Sequence, residues 1–426
     1  MNKREYFDRT LGVKYIEAEH ESGLKILVCP RPEYRSAYAL FGTKYGSIDT
    51  KFRTGGDAEF TTVPEGIAHF LEHKLFESEQ GDVFSRYAET GAYANAYTSF
   101  DRTCYLFSCT SRFSENLAIL LDFVQSPYFT AQSVEKEQGI IGQEIRMYDD
   151  DPQWRVLFNL LTALYENHPV RIDIAGTVES ISHISDKLLY RCYETFYNLN
   201  NMFLCVAGNV DPDAVLAQAE QALKPAKPVE IERGTFDEPK GVVRDRVEQK
   251  LAVSMPLFCL GFKEACEKPQ ATLRERCETE LLLEIVAGRA SAFYQRLMDE
   301  GLINEQFETE FFTGNGYAAE LFQGESKDPD RVAEQIKAEL ERLRAAGVAE
   351  ADFTRAKNRL YGRSVMRYNN IEAVGSALVE CAVNGFGLFE DTKLYSEITV
   401  QDINRRLQEA MRRETAALSV VLPADA

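Results

Sequence analysis

The chain has 426 residues, too many for one ordinary hydrophobic core, so two or more domains are expected. Apolar residues make up 45% and charged residues 27%, which excludes a disordered, collagen-like or coiled-coil chain. Acidic residues outnumber basic ones by 67 to 48, and the formal charge of -19 argues against nucleic acid or an anionic membrane surface as the main partner.

In chain order, the N-terminal residues lack the apolar stretch of a signal peptide, and no apolar run approaches the ~18 residues of a membrane span. Strand-like runs at Leu24–Val28 and Ala37–Tyr45 precede a helix near 66–76 and a second near 81–90. Strands follow at Ala92–Thr98 and Thr103–Cys109, then amphipathic helices near 112–125 and 131–148. After further helices, Met202–Gly208 reads as a buried strand. Prolines, glycines and charges near 224–247 mark a break.

Beyond it come the apolar run Leu251–Phe262, a helix near 270–287, the stretch Ser291–Asp299 and strands near 306–312 and 317–323. Helices near 329–346 and 350–367 and a closing strand, Ala417–Leu422, complete the chain. The closing strand is the counterpart of Met202–Gly208, and each half contains helix, short break, helix. The expected fold is therefore α+β: one unit used twice, each an antiparallel sheet with helices packed on one face. The expected boundaries are 1–224 for a metal-binding domain, 225–247 for a linker and 248–426 for a homologous domain without the metal. Nine cysteines, an odd number with no C-x-x-C pair, sit mostly in apolar runs such as Phe203–Val206. Reduced thiols and a cytoplasmic location are expected.

The chain has five histidines, and two of them, His69 and His73, fall within H-x-x-E-H. On a helix, residues four apart share a face, so both imidazoles can bind one metal ion. Glu72 stands beside them and can take a proton from a water without being a ligand. An unbound pair of histidines and a carboxylate on so apolar a helix (Ile67, Phe70, Leu71, Leu75) would be costly to bury. Catalytic zinc needs a third protein ligand and one open position. The helix near 131–148 offers Glu135, Glu137 and Glu144. Glu137 and Glu144 lie two turns apart on one face, about 10 Å along the axis, so one ion cannot take both. One is the ligand and the other a supporting or substrate-side carboxylate, and spacing alone does not say which. The apolar surroundings of Glu144 make a merely solvated role less attractive there.

The inverted motif resembles that of the pitrilysin/insulinase metallopeptidases, the inverzincins. Glu137 and Glu144 match that family's E-x6-E helix, which implies Glu144 as the zinc ligand. Asn95-Ala96-Tyr97-Thr98 is similar to its N-A-x-T strand, and Asn167-His168-Pro169 with Gly176 to its H-P loop. The chain also resembles short bacterial subunits of that family, which are of about this length. The resemblance implies paired homologous α+β domains and a clamshell of two such chains around a peptide chamber. The substrate adds as a strand beside Asn95, Ala96, Tyr97 and Thr98. Glu72 is the implied general base, and Glu137 joins it among the candidate catalytic groups.

One departure stands out. Many catalytic relatives complete the site with an Arg and a Tyr around a Gly-Leu pair. Aligning Gly301-Leu302 puts Met298 and Asn304 at those places, and Arg296 falls on another face of the helix. A homologous companion chain supplying the Arg and Tyr is therefore expected, giving a heterodimer. A homodimer is the alternative. The expected function is a zinc endopeptidase acting on peptides or small unfolded polypeptides. A non-catalytic assembly or binding subunit competes with it, but the intact Glu72 favours the enzyme. A structural zinc site is disfavoured because no Cys lies in either ligand helix. His168 reads as a loop residue, Asp149–Asp151 as a helix end, and Gly314-Asn315-Gly316 as a hairpin turn.

Overall fold

The computed structural model describes residues 1–79, 81–224, 226–265 and 270–424. Pro225, in the expected linker, and Cys266, one of the cysteines, lie outside the described residues. The chain forms two compact units that are not contiguous in sequence. Unit 1 comprises Met1–Ile145, Asp173–Thr235 and Val365–Glu390, and unit 2 comprises Arg146–Ile172, Phe236–Ser364 and Asp391–Ala426.

Unit 1 is built on a seven-stranded sheet. In spatial order its strands are Asn2–Asp8, Val13–Glu19, Lys25–Pro30, Met202–Gly208, Ala37–Thr43, Thr103–Cys109 and Tyr93–Thr98. Met202–Gly208 is buried at every position because it lies inside the sheet with both faces covered. It runs parallel to Lys25–Pro30, and the other pairings are antiparallel. The period of two divides the side chains cleanly. Tyr105 and Phe107 point to one face and meet Phe123 and Phe113 of the helix Phe113–Val124. Cys104 and Leu106 point to the other and share a core with Val374 and Leu378 of the helix Ile371–Asn384.

Unit 2 repeats the plan with five strands, in the order Arg246–Leu251, Ala416–Pro423, Leu257–Lys263, Tyr317–Glu325 and Glu308–Gly314. Ala416–Pro423 holds the place of Met202–Gly208: parallel to one neighbour and antiparallel to the other. The helices Leu273–Ala287 and Val400–Glu409 contribute to the core of one face. The helix Pro152–Leu164 packs on Ala416–Pro423 and Leu257–Lys263. Each unit thus takes one helix from the other half of the sequence, Ile371–Asn384 in unit 1 and Pro152–Leu164 in unit 2.

Three further differences from the sequence reading are local. Asn2–Asp8 and Val13–Glu19 are strands that hydrophobic patterning does not mark, since Asn2–Asp8 is an exposed, charged edge. The run Leu251–Phe262 contains a break, with Leu251 closing one strand and Leu257 opening the next. Within 225–247, Ile231–Arg233 pairs with Lys51–Thr54, and Arg233 Nε donates to the buried Asp49 at 2.7 Å. Asp151 caps the helix Pro152–Leu164 by accepting from the N–H groups of Gln153 and Trp154. His168 is a buried loop residue whose Nε2 lies 3.0 Å from the Asn315 carbonyl in the hairpin turn. No helix among the described residues is long and apolar enough to cross a membrane.

Candidate metal centre

The site lies wholly in unit 1. Its first element is the helix Ile67–Leu75, nearly all of which is buried. Two glycines set its entry. Gly66 has φ 86° and Gly176 φ 73°, where side chains are strained. A Cβ on Gly66 would stand 2.3 Å from the Ala175 carbonyl oxygen, and one on Gly176 would stand 2.5 Å from that of Glu65. Ser180 Oγ donates to the same Glu65 carbonyl at 2.9 Å. Gly66→Ala is therefore expected to cost at least about 2 kcal/mol, from left-handed backbone plus steric overlap. A fall in the urea denaturation midpoint without a change in slope would register it.

His69 and His73 lie on one side of this helix with ring centroids 4.6 Å apart. Glu144, on the helix Ala131–Asp149, brings its carboxylate to both. Its oxygens lie 3.8 Å from His69 Nε2 and 3.5 Å from His73 Nε2. One ligand atom from each residue fits within 4.8 Å of the others. Bonds of about 2.0–2.2 Å at tetrahedral angles put ligand atoms roughly 3.3–3.6 Å apart, so a zinc-sized ion would draw this set together by no more than about 1.5 Å. The state of His69 points the same way. It is 8% exposed, its Nδ1 has no hydrogen-bond partner, and its Nε2 stands too far from Glu144 for a hydrogen bond. Nε2 is the nitrogen that faces Glu144 and suits a metal ion, which would leave the buried Nδ1 as it is.

Glu137 occupies a different place. Its Oε1 lies 3.1 Å from His73 Nδ1. The His73 ring bridges the two glutamates, with Glu144 at one nitrogen and Glu137 at the other. This carboxylate–imidazole contact fixes the ring's tautomer and orientation. Glu72 is also 8% exposed, and its Oε2 accepts from Thr98 Oγ1 at 2.6 Å. Thr98 in turn lies 3.3 Å from Thr103 Oγ1, which donates to the Tyr45 carbonyl. The sequence reading places Thr98 beside a substrate and does not foresee its bond to Glu72. An apolar helix facing a hydroxyl-bearing strand is the only signal for it.

The strand Tyr93–Thr98 is an edge, paired on one side only with Thr103–Cys109. Ala96 N–H donates to Asn95 Oδ1 at 2.9 Å. Tyr97 turns to the face covered by Ile371–Asn384 and packs on its core. The structure thus gathers His69, His73, Glu144, Glu72, Glu137 and Thr98, with Asn95 and Ala96 along the edge and Tyr97 turned away.

Burial and the neighbouring His73 pull the His69 imidazole down to about 3. Burial opposes protonation of His73 as well, but its bond to Glu137 and the carboxylates of Glu72 and Glu144 outweigh it and raise its pKa above 6.5. Burial raises the Glu72 carboxyl, partly offset by Thr98 and His73. Without metal, His73 therefore keeps its proton to a pH above 6.5, whereas His69 is neutral at any ordinary pH. Binding a cation must displace the His73 proton. Zinc affinity is expected to fall about tenfold per pH unit below the His73 pKa, with about one proton released on loading in that range. Competition with a chelating dye between pH 5.5 and 8.5 measures the slope. A two-proton slope would show that His69 titrates too.

Two α+β units, one carrying an inverted H-x-x-E-H helix with a glutamate from a second helix, define a metallopeptidase-type architecture. The chain belongs to the insulinase (M16) peptidase family. The model described as insulinase (peptidase family M16) matches residues 52–178, and that described as peptidase M16 inactive domain matches 183–360. The chain is 42% identical over 408 residues to the uncharacterized zinc protease YmfH of Bacillus subtilis, covering 94% of this chain and 95% of the relative. A solved M16-like peptidase structure from Alicyclobacillus acidocaldarius is 38% identical, with a TM-score of 0.92, covering 96% of this chain and 98% of the other. The periplasmic protease PqqL of Escherichia coli shares the fold at 19% identity and a TM-score of 0.73. There the match covers 98% of this chain but 48% of PqqL.

Proposed function

We propose that the chain is a zinc-dependent endopeptidase that cleaves peptides or small unfolded polypeptides inside a closed chamber. It acts as the zinc-bearing subunit of a two-chain cytoplasmic enzyme. The observation that carries this reading is the convergence of His69, His73 and Glu144 beside a buried Glu72 held by the edge strand. Zinc bound there would polarise a scissile carbonyl and acidify a water. Glu72 takes the proton of the attacking water and passes it to the departing amine. Its raised pKa suits a group that must both accept and release a proton. Thr98 aims Glu72, and Glu137 orients His73. A substrate strand pairs with the free edge of Tyr93–Thr98, which sets the scissile bond next to Glu72. The zinc protease name of the B. subtilis relative supports the choice of metal.

The companion chain is proposed because the expected Arg and Tyr are missing from unit 2. Met298 packs against the unit 2 core, and Asn304 donates to Glu325 at 2.7 Å. Arg296 lies over Phe293, with Glu339 3.9 Å away. The match to about half of PqqL supports an enzyme assembled from two such chains. The eight described cysteines are buried, as small core residues are, which suits a reducing compartment. The test is peptide cleavage by the zinc-loaded chain alone and with a homologous chain that lacks H-x-x-E-H but carries Arg and Tyr. Cleavage only by the pair is expected. Full activity of the isolated chain would overturn the heterodimer in favour of a self-sufficient or homodimeric enzyme.

A further inference from the structure

An open groove of about 480 Å³ lies in unit 1 at the start of the edge strand, next to the first turn of the helix Ile371–Asn384. Tyr34, Tyr93, Ser108, Asn370 and Glu372 contribute to its walls. Asn370 caps the helix, its Oδ1 accepting from the N–H groups of Glu372 at 2.8 Å and Ala373 at 3.0 Å. The helix terminus is thereby satisfied, and no Lys or Arg is among the described residues lining the groove. Among the described residues, Glu372 is the only charged residue lining it. Tyr93 is 64% exposed beside it.

The groove continues the edge strand, and strand geometry fixes what reaches it. Tyr93 lies five residues before Thr98, about 17 Å along the strand at ~3.3 Å per residue. Thr98 holds Glu72 and so marks the position of the cleaved bond. Asn95 Nδ2 lies 3.4 Å from Tyr93 Oη, as side chains on one face do, while Ala94, Ala96 and Thr98 face the other way. A peptide paired along this edge sends alternate side chains to the Tyr93 face. The residue about five positions from the cleaved bond on that face arrives at the groove, and its immediate neighbours point away.

We infer that this groove is a specificity subsite for a basic side chain, Lys or Arg, about five residues from the cleaved bond, seated on the Tyr93 ring with its charge at Glu372. The inference rests on the peptidase reading and on substrate pairing with the edge strand. The cation–aromatic contact and the ion pair at this open site together favour Lys or Arg over Asp or Glu by roughly fivefold to tenfold.

The test is the cleavage pattern of the zinc-loaded enzyme, with its companion chain, on a library of peptides prepared with a Glu-specific protease. Mass spectrometry of the products fixes the register from each cut. Lys and Arg are expected to be enriched about fivefold at one position, about five residues from the cut on one side, and not at the adjacent positions. Glu372→Lys should reverse the preference to Asp there, the acidic residue such peptides keep at internal positions, and Tyr93→Ala should weaken it without reversing it. Cleavage with no charge preference at that position would overturn the subsite. So would an equal preference at neighbouring positions, which marks a diffuse field. A preference unchanged by Glu372→Lys would do the same. If no peptide is cleaved by any preparation, the peptidase reading falls, and the subsite with it.

Discussion

Glu72→Gln is expected to keep its zinc and lose peptide cleavage, with kcat lower by at least about 100-fold, the range of a lost general base. Gln has the shape of Glu, and its side-chain oxygen can still accept from Thr98 Oγ1, so the buried bond survives. The ligand set does not include residue 72, so metal content measured by elemental analysis should match that of the parent chain. What is lost is the ability to take a proton. Removing a carboxyl whose pKa burial raises also removes a group that is costly to ionise, so thermal stability should hold or rise. This result separates the enzyme from a binding subunit, because a subunit that only holds peptide would be indifferent to the change. If cleavage persists near the parental rate, Glu72 is not the base and the proposed chemistry fails.

The sequence makes the chemistry more legible than the architecture, for physical reasons. Histidines four apart on an apolar helix are a local pattern, and the helix Ile67–Leu75 forms where that pattern places it. Met202–Gly208 is equally local, seven residues buried on both faces of a sheet. Periodicity tells which face of Pro152–Leu164 or Ile371–Asn384 is apolar, but not which sheet that face covers. That partner is a long-range property, and the two helices are exchanged between the halves of the chain. The strand Asn2–Asp8 carries Lys3, Arg4, Glu5 and Asp8 because an outer edge is protected by charge, which hides it from hydrophobic patterning. The bond between Thr98 and Glu72 links residues 26 apart, and no local rule reports it.

The choice between the two glutamates is the sharpest case of that limit, and paired substitutions test it. Spacing allows either Glu137 or Glu144 to be the ligand, since both lie on one helix face. The structure brings Glu144 to Nε2 of both histidines and Glu137 to Nδ1 of His73 alone. Glu144→Gln removes the charged oxygen donor and leaves two imidazoles, too few for a catalytic zinc site. Zinc should then be lost on dialysis against a mild chelator, and cleavage with it. Glu137→Gln should act through His73. Its oxygen can still accept from Nδ1, but the lost charge makes the imidazole a poorer donor, and affinity should fall about 10- to 100-fold with residual binding retained. The two variants also differ in proton linkage. Losing the Glu137 contact lowers the His73 pKa in the metal-free chain, so zinc binding by Glu137→Gln should stay pH-independent to a lower pH. If Glu137→Gln loses the metal and Glu144→Gln keeps it, the roles are reversed. The pH profile of the retained site would then belong to a histidine whose second nitrogen faces Glu144.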